Sequence, residues 1–252
     1  MRVAIISDVH SNLQAFTAVL KDIEQFGIDS IVALGDIIGY GGNPAECLDL
    51  LENNAKIIRK VRGNHEQSAL NFSAKGEIAK FLVNEEAWQG ILYSFRLIGE
   101  KNVKKFVDWP ETAVVEELGI SLAHGAISNN HAWQYVRQVE GAELEARHSP
   151  TKICFLGHTH RPFLFCSGQN FFLHSLHHEQ ELNPGSRYII NVGSVGQPRD
   201  HCPLAAYGIL QIDRDRKSFM LRRVNYDIAG AMQAIRQAKL PESLATFLLQ
   251  LK

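Results

Sequence analysis

The sequence predicts an α/β protein in which two packed β-sheets form one domain over residues 1–252. Two features of the pattern carry that reading. Short β-branched runs alternate with helical spacing in the first 60 residues, and from residue 112 onward short strand patterns follow one another closely.

Val3-Ala4-Ile5-Ile6 reads as a buried strand, and Leu13, Phe16, Val19, Leu20 and Ile23 recur at helical spacing between Leu13 and Phe26. Ser30 to Leu34 is a second strand, Pro44 opens a helix that runs to Leu51, and Lys56-Ile57-Ile58 is a third strand. Strands separated by helices pair in parallel, because each helix carries the chain back across the sheet. Residues 66–107 are predicted mostly helical, with Leu82, Trp88, Leu92, Phe95 and Phe106 facing the core. Strands are predicted at 112–116, 119–123, 152–156, 162–166, 170–173, 188–192, 205–212 and 217–224, and helical spacing from Val224 to Lys252 closes the chain. No Pro/Ser/Gly-rich linker and no internal repeat divides it.

With 45% hydrophobic and 21% charged residues, the composition is that of a globular protein with a large core. A formal net charge of −1 removes the electrostatic attraction on which nucleic acids and anionic membranes depend, so neither is expected as a partner. The amino-terminal apolar run is too short for a signal peptide and no stretch approaches a membrane span, which predicts a cytoplasmic protein. In that compartment the sequon at Asn71-Phe72-Ser73 is a chance match. Cys47, Cys154, Cys166 and Cys202 form no CxxC pair and lie in or beside apolar segments, as buried free thiols do. The pattern carries no information on oligomeric state.

Polar residues of one chemical type close strand after strand. The first strand runs into Asp8-Val9-His10, the second into Gly35-Asp36, the third into Gly63-Asn64-His65-Glu66, the strand near 120 into His124-Gly125, and the strand near 154 into Gly157-His158-Thr159-His160. All lie at carboxyl ends of strands, where open α/β sheets bind ligands. Any one has a bland explanation: Asp8 or Asp36 as a helix cap, Asn64 as a turn residue, His124 as a hydrogen-bonded core histidine. Seven of them converging without a ligand would leave too many buried polar groups unpaired. Seven donors also exceed what one tetrahedral ion needs, whereas two ions about 3.5–4 Å apart with a shared carboxylate use them all. A nitrogen and oxygen donor set without thiolate suits two divalent ions such as manganese, iron, zinc, nickel or cobalt. His174, His177 and His178 read as a polar loop, Trp109 and Trp133 as packing, and His131 as a residue whose loop passes near the pocket.

The blocks "DVH", "GDIIGYGG", "RGNHE", "AHG" and "GHTH", in that order, resemble the signature of the calcineurin-like metallophosphoesterases, and "SDVHSN" with "NVGSVGQPRD" resembles their small bacterial and archaeal phosphodiesterase branch. The resemblance implies a four-layer αββα sandwich of two mixed sheets flanked by helices. It gives one ion Asp8, His10 and His160, the other Asn64, His124 and His158, and makes Asp36 the bridge. It further implies hydrolysis of phosphate esters by attack of a metal-bridging hydroxide, with His65 near the phosphate as stabiliser or proton donor. Glu66 is expected to cap the following helix or to hold a loop.

The chain departs from the phosphoprotein phosphatases of that superfamily where they carry Asp-Arg-Gly, having Gly39-Tyr40-Gly41 instead. Both an arginine for phosphate and an aspartate that orients the histidine are missing. Two arginines are candidates for the phosphate: Arg199 in the "GSVGQPRD" loop, where backbone N–H groups can add to the guanidinium, ranks first against an ion pair with Asp200, and Arg62 before "GNHE" ranks second because at the strand end it can turn away into a salt bridge. The expected partner is a small phosphate ester. A phosphodiester, linear or cyclic nucleotides included, ranks first, followed by a monoester, a dinucleotide polyphosphate and a phosphoprotein. A non-catalytic scaffold with this fold, as in a retromer subunit, is the reading from a different class. It is disfavoured because all seven ligand positions and His65 are intact.

Overall fold

The computed structural model describes residues 1–76, 83–129, 132–169, 171–173 and 178–249. Twelve strands and seven α-helices lie in the described residues. In chain order they are β1 (Arg2–Ile6), α1 (Leu13–Gln25), β2 (Ser30–Ala33), α2 (Pro44–Glu52), β3 (Ile57–Lys60), α3 (Asn64–Lys75), α4 (Glu85–Lys104), β4 (Thr112–Val115) and β5 (Ile120–Ala123). There follow α5 (Val139–His148), β6 (Ile153–Leu156), β7 (Phe163–Cys166), β8 (Phe171–Leu173), β9 (Gln180–Leu182), β10 (Tyr188–Asn191), β11 (Ala205–Asp213), β12 (Arg216–Val224), α6 (Ile228–Gln237) and α7 (Glu242–Phe247).

The strands form two six-stranded sheets, ordered β3-β2-β1-β11-β12-β9 and β4-β5-β6-β10-β7-β8. Both are mixed: β1, β2 and β3 run parallel, as do β5, β6 and β10, and antiparallel strands complete each sheet. Strand alternation then builds the layers. On β1, Val3 and Ile5 point between the sheets onto Ile120, Leu122, Phe155 and Ile190, while Ala4 and Ile6 point outward beneath Phe16 and Val19 of α1. On β6 the same alternation sends Cys154 and Leu156 outward against Ala142 and Ala146 of α5. The result is the expected α/β sandwich, helices outside and two sheets back to back.

Most predicted elements form within a few residues of their expected limits, with three differences. Residues 66–107 divide into α3 and α4, with residues 77–82, and so Leu82, outside the described residues, and Gly99 at φ 76 kinks α4. Helix α5 and strand β9 were not anticipated. The apolar side of α5 is made of alanines, which give a faint periodic signal, and β9 is three residues long. Cys47, Cys154 and Cys166 are buried free thiols as expected, and Cys202 is half-buried and free. No helix of the described residues is long and apolar enough to cross a membrane.

Candidate metal centre

The parallel strands β1, β2, β5 and β6 deliver their polar ends to one edge, and the loops there are zipped together by backbone hydrogen bonds. Asp8 N–H donates to the Gly35 carbonyl (3.1 Å), His10 N–H to that of Asp36 (3.0 Å) and Ser11 N–H to that of Ile37 (2.9 Å). The approach is close enough that a Cβ on Gly35, whose φ is 92°, would collide with the backbone of Gly63. Asp8, His10, Asp36, His158 and His160 all hold left-handed φ values between 49° and 64°. Non-glycine residues rarely do so, and such strain collects at functional sites.

Every one of the seven expected ligands is buried in this edge. Asp8, His10 and His160 bring ligand atoms within 4.8 Å of one another, as do Asp36, His124 and His158, and as do His10, Asp36 and His65. Asn64 opens α3 and lines a cavity together with Asp36, His158 and His160.

The donor geometry fits cations. His10 Nδ1 faces the Ile38 carbonyl (3.1 Å), His160 Nδ1 that of Gln197 (2.6 Å) and His124 Nδ1 that of Leu34 (2.7 Å). A carbonyl can only accept, so in the neutral rings each Nδ1 carries the proton and each Nε2 presents a lone pair. Yet His10 Nε2 lies 3.1 Å from His160 Nε2, which in turn lies 3.1 Å from an Asp8 Oδ1 that accepts no hydrogen bond among the described residues. Likewise His124 Nε2 lies 3.2 Å from both His158 Nδ1 and Asp36 Oδ2. Lone pairs and carboxylate oxygens pointed at one another in a buried space repel unless positive charge lies among them.

Burial tends to raise the Asp8 and Asp36 carboxyls, but the surrounding histidines outweigh it and hold both well below the usual carboxylate range. Burial lowers His65 and His158 to about 3 and His160 to about 4, so their rings are neutral and able to ligate. His124 behaves differently: burial pulls it down, but Asp36 and Asp8 beside it raise it to about 9, so without a bound cation its own proton supplies the positive charge between Asp36 and His158.

Two serines that the sequence did not single out, Ser7 and Ser194, help to hold the ligands in place. Ser7 donates to Asp8 Oδ2 (2.6 Å), His158 N–H donates to the same oxygen (3.0 Å), and Ser194 Oγ donates to the Asp8 carbonyl (2.8 Å). Glu66 does hold a loop: its carboxylate accepts from the N–H groups of Asp36 (2.8 Å), Ile37 (2.9 Å), Ile38 (3.3 Å) and Gly63 (2.9 Å). The quoted blocks contained Glu66 and Ser194, but nothing in a single sequence marks which hydroxyl reaches which carboxylate.

A cavity of about 410 Å³ opens over the centre, lined by Asp36, Asn64, His65, His158 and His160 and walled by Tyr40, Tyr135, Asn84 and Arg199. Arg199 donates to Gln197 Oε1 (2.7 Å) and Tyr40 Oη (3.3 Å), while Asp200, which could have neutralised it, pairs with Arg223. Arg62 is not among the described residues that line this cavity. It donates to the Phe106 carbonyl (3.1 Å) and pairs with Glu111 (3.1 Å), an arrangement that turns it from the cavity. His65 lines the cavity with Nδ1 packed over Gly39, where a Cβ would collide with it, and with Nε2 3.8 Å from Asp36 Oδ2. Trp133, expected only to pack, also sets its ring edge-on to His124 at 5.8 Å. His131, His174 and His177 lie outside the described residues, and His178 is exposed.

A sandwich of two mixed sheets with an Asp/His cluster at the carboxyl ends of its parallel strands defines a metallophosphoesterase type of hydrolase. Residues 1–215 match the calcineurin-like phosphoesterase superfamily domain, and the chain belongs to that superfamily. A metallophosphoesterase from Sphaerobacter thermophilus is 33% identical, superposes with a TM-score of 0.83 and is covered end to end, as is this chain. An uncharacterized protein of Methanocaldococcus jannaschii is 34% identical over 247 residues, 96% of this chain and 95% of its own. A hypothetical protein of Pyrococcus horikoshii shares the fold at 19% identity, with a TM-score of 0.77 over 98% of this chain and 97% of that one. The protein is therefore a phosphoesterase hydrolase of a superfamily that uses divalent metal ions on phosphate esters.

Proposed function

We propose that the chain is a dinuclear metal-dependent phosphodiesterase of small phosphate esters. The observation that carries the reading is the buried convergence of ring nitrogens on two carboxylates, His10 and His160 at Asp8 and His124 and His158 at Asp36. Asp8, His10 and His160 would hold one ion, Asn64, His124 and His158 the other, with Asp36 common to both. Bound divalent ions supply Lewis-acid polarisation of the phosphoryl oxygens and a water acidic enough to attack at neutral pH.

The chain's own residues orient the ester. Arg199, braced by Gln197 and resting 5.7 Å from the Tyr40 ring, offers its guanidinium to a non-bridging oxygen in the place left by the missing phosphatase arginine. Among the described residues that line the cavity it is the one guanidinium, which suits the single negative charge of a diester better than the double charge of a monoester. His65, neutral and with no carboxylate on Nδ1 among the described residues, acts on the departing oxygen as a hydrogen-bond donor. Manganese, iron, zinc, nickel and cobalt all suit the donor set.

Protein stripped of metal and reloaded with manganese is expected to hydrolyse bis-p-nitrophenyl phosphate faster than p-nitrophenyl phosphate. Hydrolysis of neither by the loaded protein would refute the enzymatic reading, and a faster monoester would reverse the ranking.

A further inference from the structure

The loop between β5 and α5 places a second guanidinium, that of Arg137, against Tyr135, a residue of the cavity wall. The Tyr135 ring lies flat on His158, with centroids 4.1 Å apart and planes 6° apart. The Arg137 guanidinium lies 4.1 Å from the same Tyr135 ring. With His158 filling one face of the phenol ring, Arg137 must cover the other. Three planar groups therefore run outward from the metal centre.

This stack is built on an anchored support. Glu145 of α5 is buried and accepts from Ile127 N–H (2.6 Å), Ser128 N–H (2.9 Å) and Ser128 Oγ (2.5 Å), and Ala126 N–H donates to the Gln134 carbonyl (3.1 Å). Trp133 and Val136, the neighbours of Tyr135 and Arg137, are 6% and 4% exposed and tie the segment to the core. By contrast Tyr135 is 48% exposed, and Arg137 is exposed beside it. No carboxylate of the described residues forms a salt bridge with Arg137. A large aromatic and an arginine held in the open by buried neighbours are arranged for a ligand, because the cost of ordering them is met before binding.

The occupied faces decide what kind of ligand. Neither face of Tyr135 is free for an aromatic group, so the stack offers the outer surface of a guanidinium whose charge the π-contact leaves intact. We propose that Arg137, mounted on Tyr135, forms an anion subsite for a second phosphate carried on the leaving alcohol of the substrate. The Tyr135 ring and its two stacking contacts, 4.1 Å each, separate this guanidinium from His158. The second phosphate is thus several bonds from the scissile one, as on the far side of a nucleoside, and not its neighbour in a diphosphate. Arg199 and Arg137 then divide the work, the first at the scissile phosphate and the second at the remote one. The proposal rests on the phosphoesterase reading of the adjacent centre.

The test uses two dinucleotides that differ by one anion, pApA and ApA, each with a phosphorothioate internal linkage to slow turnover. They are titrated calorimetrically into the manganese-loaded protein at low ionic strength. Wild type is expected to bind pApA about 5-fold more tightly than ApA, a gap that narrows as salt screens the exposed charge. Arg137→Gln should bind the two alike, while Arg147→Gln, which removes an exposed arginine elsewhere, should keep the gap. Equal affinities in wild type, or a gap that survives Arg137→Gln, would overturn the subsite. Hydrolysis of bis-p-nitrophenyl phosphate by the same wild-type preparation reports separately on the centre: a gap without hydrolysis faults the phosphoesterase reading and leaves the subsite standing.

Discussion

Arg199 and Arg62 were both candidates in the sequence, with Arg199 the favoured one, and their hydrogen-bond partners separate them in the same sense. Arg62 spends its guanidinium on Glu111 and a carbonyl, whereas Arg199 is braced by two neutral oxygens and keeps its charge for the cavity. Arg199→Ala is therefore expected to retain full metal content and to lose about 10-fold or more in kcat/KM, equivalent to about 1.4 kcal/mol of transition-state binding. Steady-state kinetics beside elemental analysis checks it, and wild-type activity in Arg199→Ala would remove the clamp from the account. Single residues also mark the limit of sequence reading. Asp8, His10, Asp36, Asn64, His65, His124, His158 and His160 were legible because their types and order repeat a known signature. Tyr135 was not, since an aromatic residue in a loop carries no sign of the histidine on which it stacks.

Helices and strands were legible where periodicity was strong. β1, α1 and β2 follow from their apolar spacing, while α5 hid its buried side in alanines and β9 was too short to register. What no element reveals alone is the contact between loops on which the centre depends. Gly35 shows it: φ is 92°, and an added methyl would meet the Gly63 backbone, so the loops after β2 and β3 can touch only without a side chain there. Gly35→Ala is expected to cost at least about 2 kcal/mol in denaturant unfolding. Gly27→Ala, at φ 60 with nothing within 4 Å of the new Cβ, should cost about 1 kcal/mol from backbone strain alone. Equal losses would mean that loop contact is not what Gly35 provides.

Across the whole molecule, four buried histidines tie stability to pH. In metal-free protein His65, His158 and His160 titrate at about 3, 3 and 4, chiefly through burial, against about 6.5 in an unfolded chain. As pH falls below about 6.5 the unfolded state takes up protons that the folded state refuses, so stability declines toward pH 4. His124 has the opposite sign. Its folded pKa of about 9 gives stability that is whole below about 6.5 and is lost as pH rises through 9. Metal-stripped protein should thus be most stable near neutral pH and weaken on both sides, as chemical denaturation at a series of pH values will show; a flat profile from pH 5 to 9 would be inconsistent with these shifts. Whether this cluster is a two-ion centre with Asp36 shared is tested most directly by counting metal per chain in elemental analysis. Manganese-loaded wild type should hold two ions, His160→Ala about one, and Asp36→Asn almost none, because a shared carboxylate serves both. A single ion in wild type, or a full load in Asp36→Asn, would contradict the shared two-ion centre.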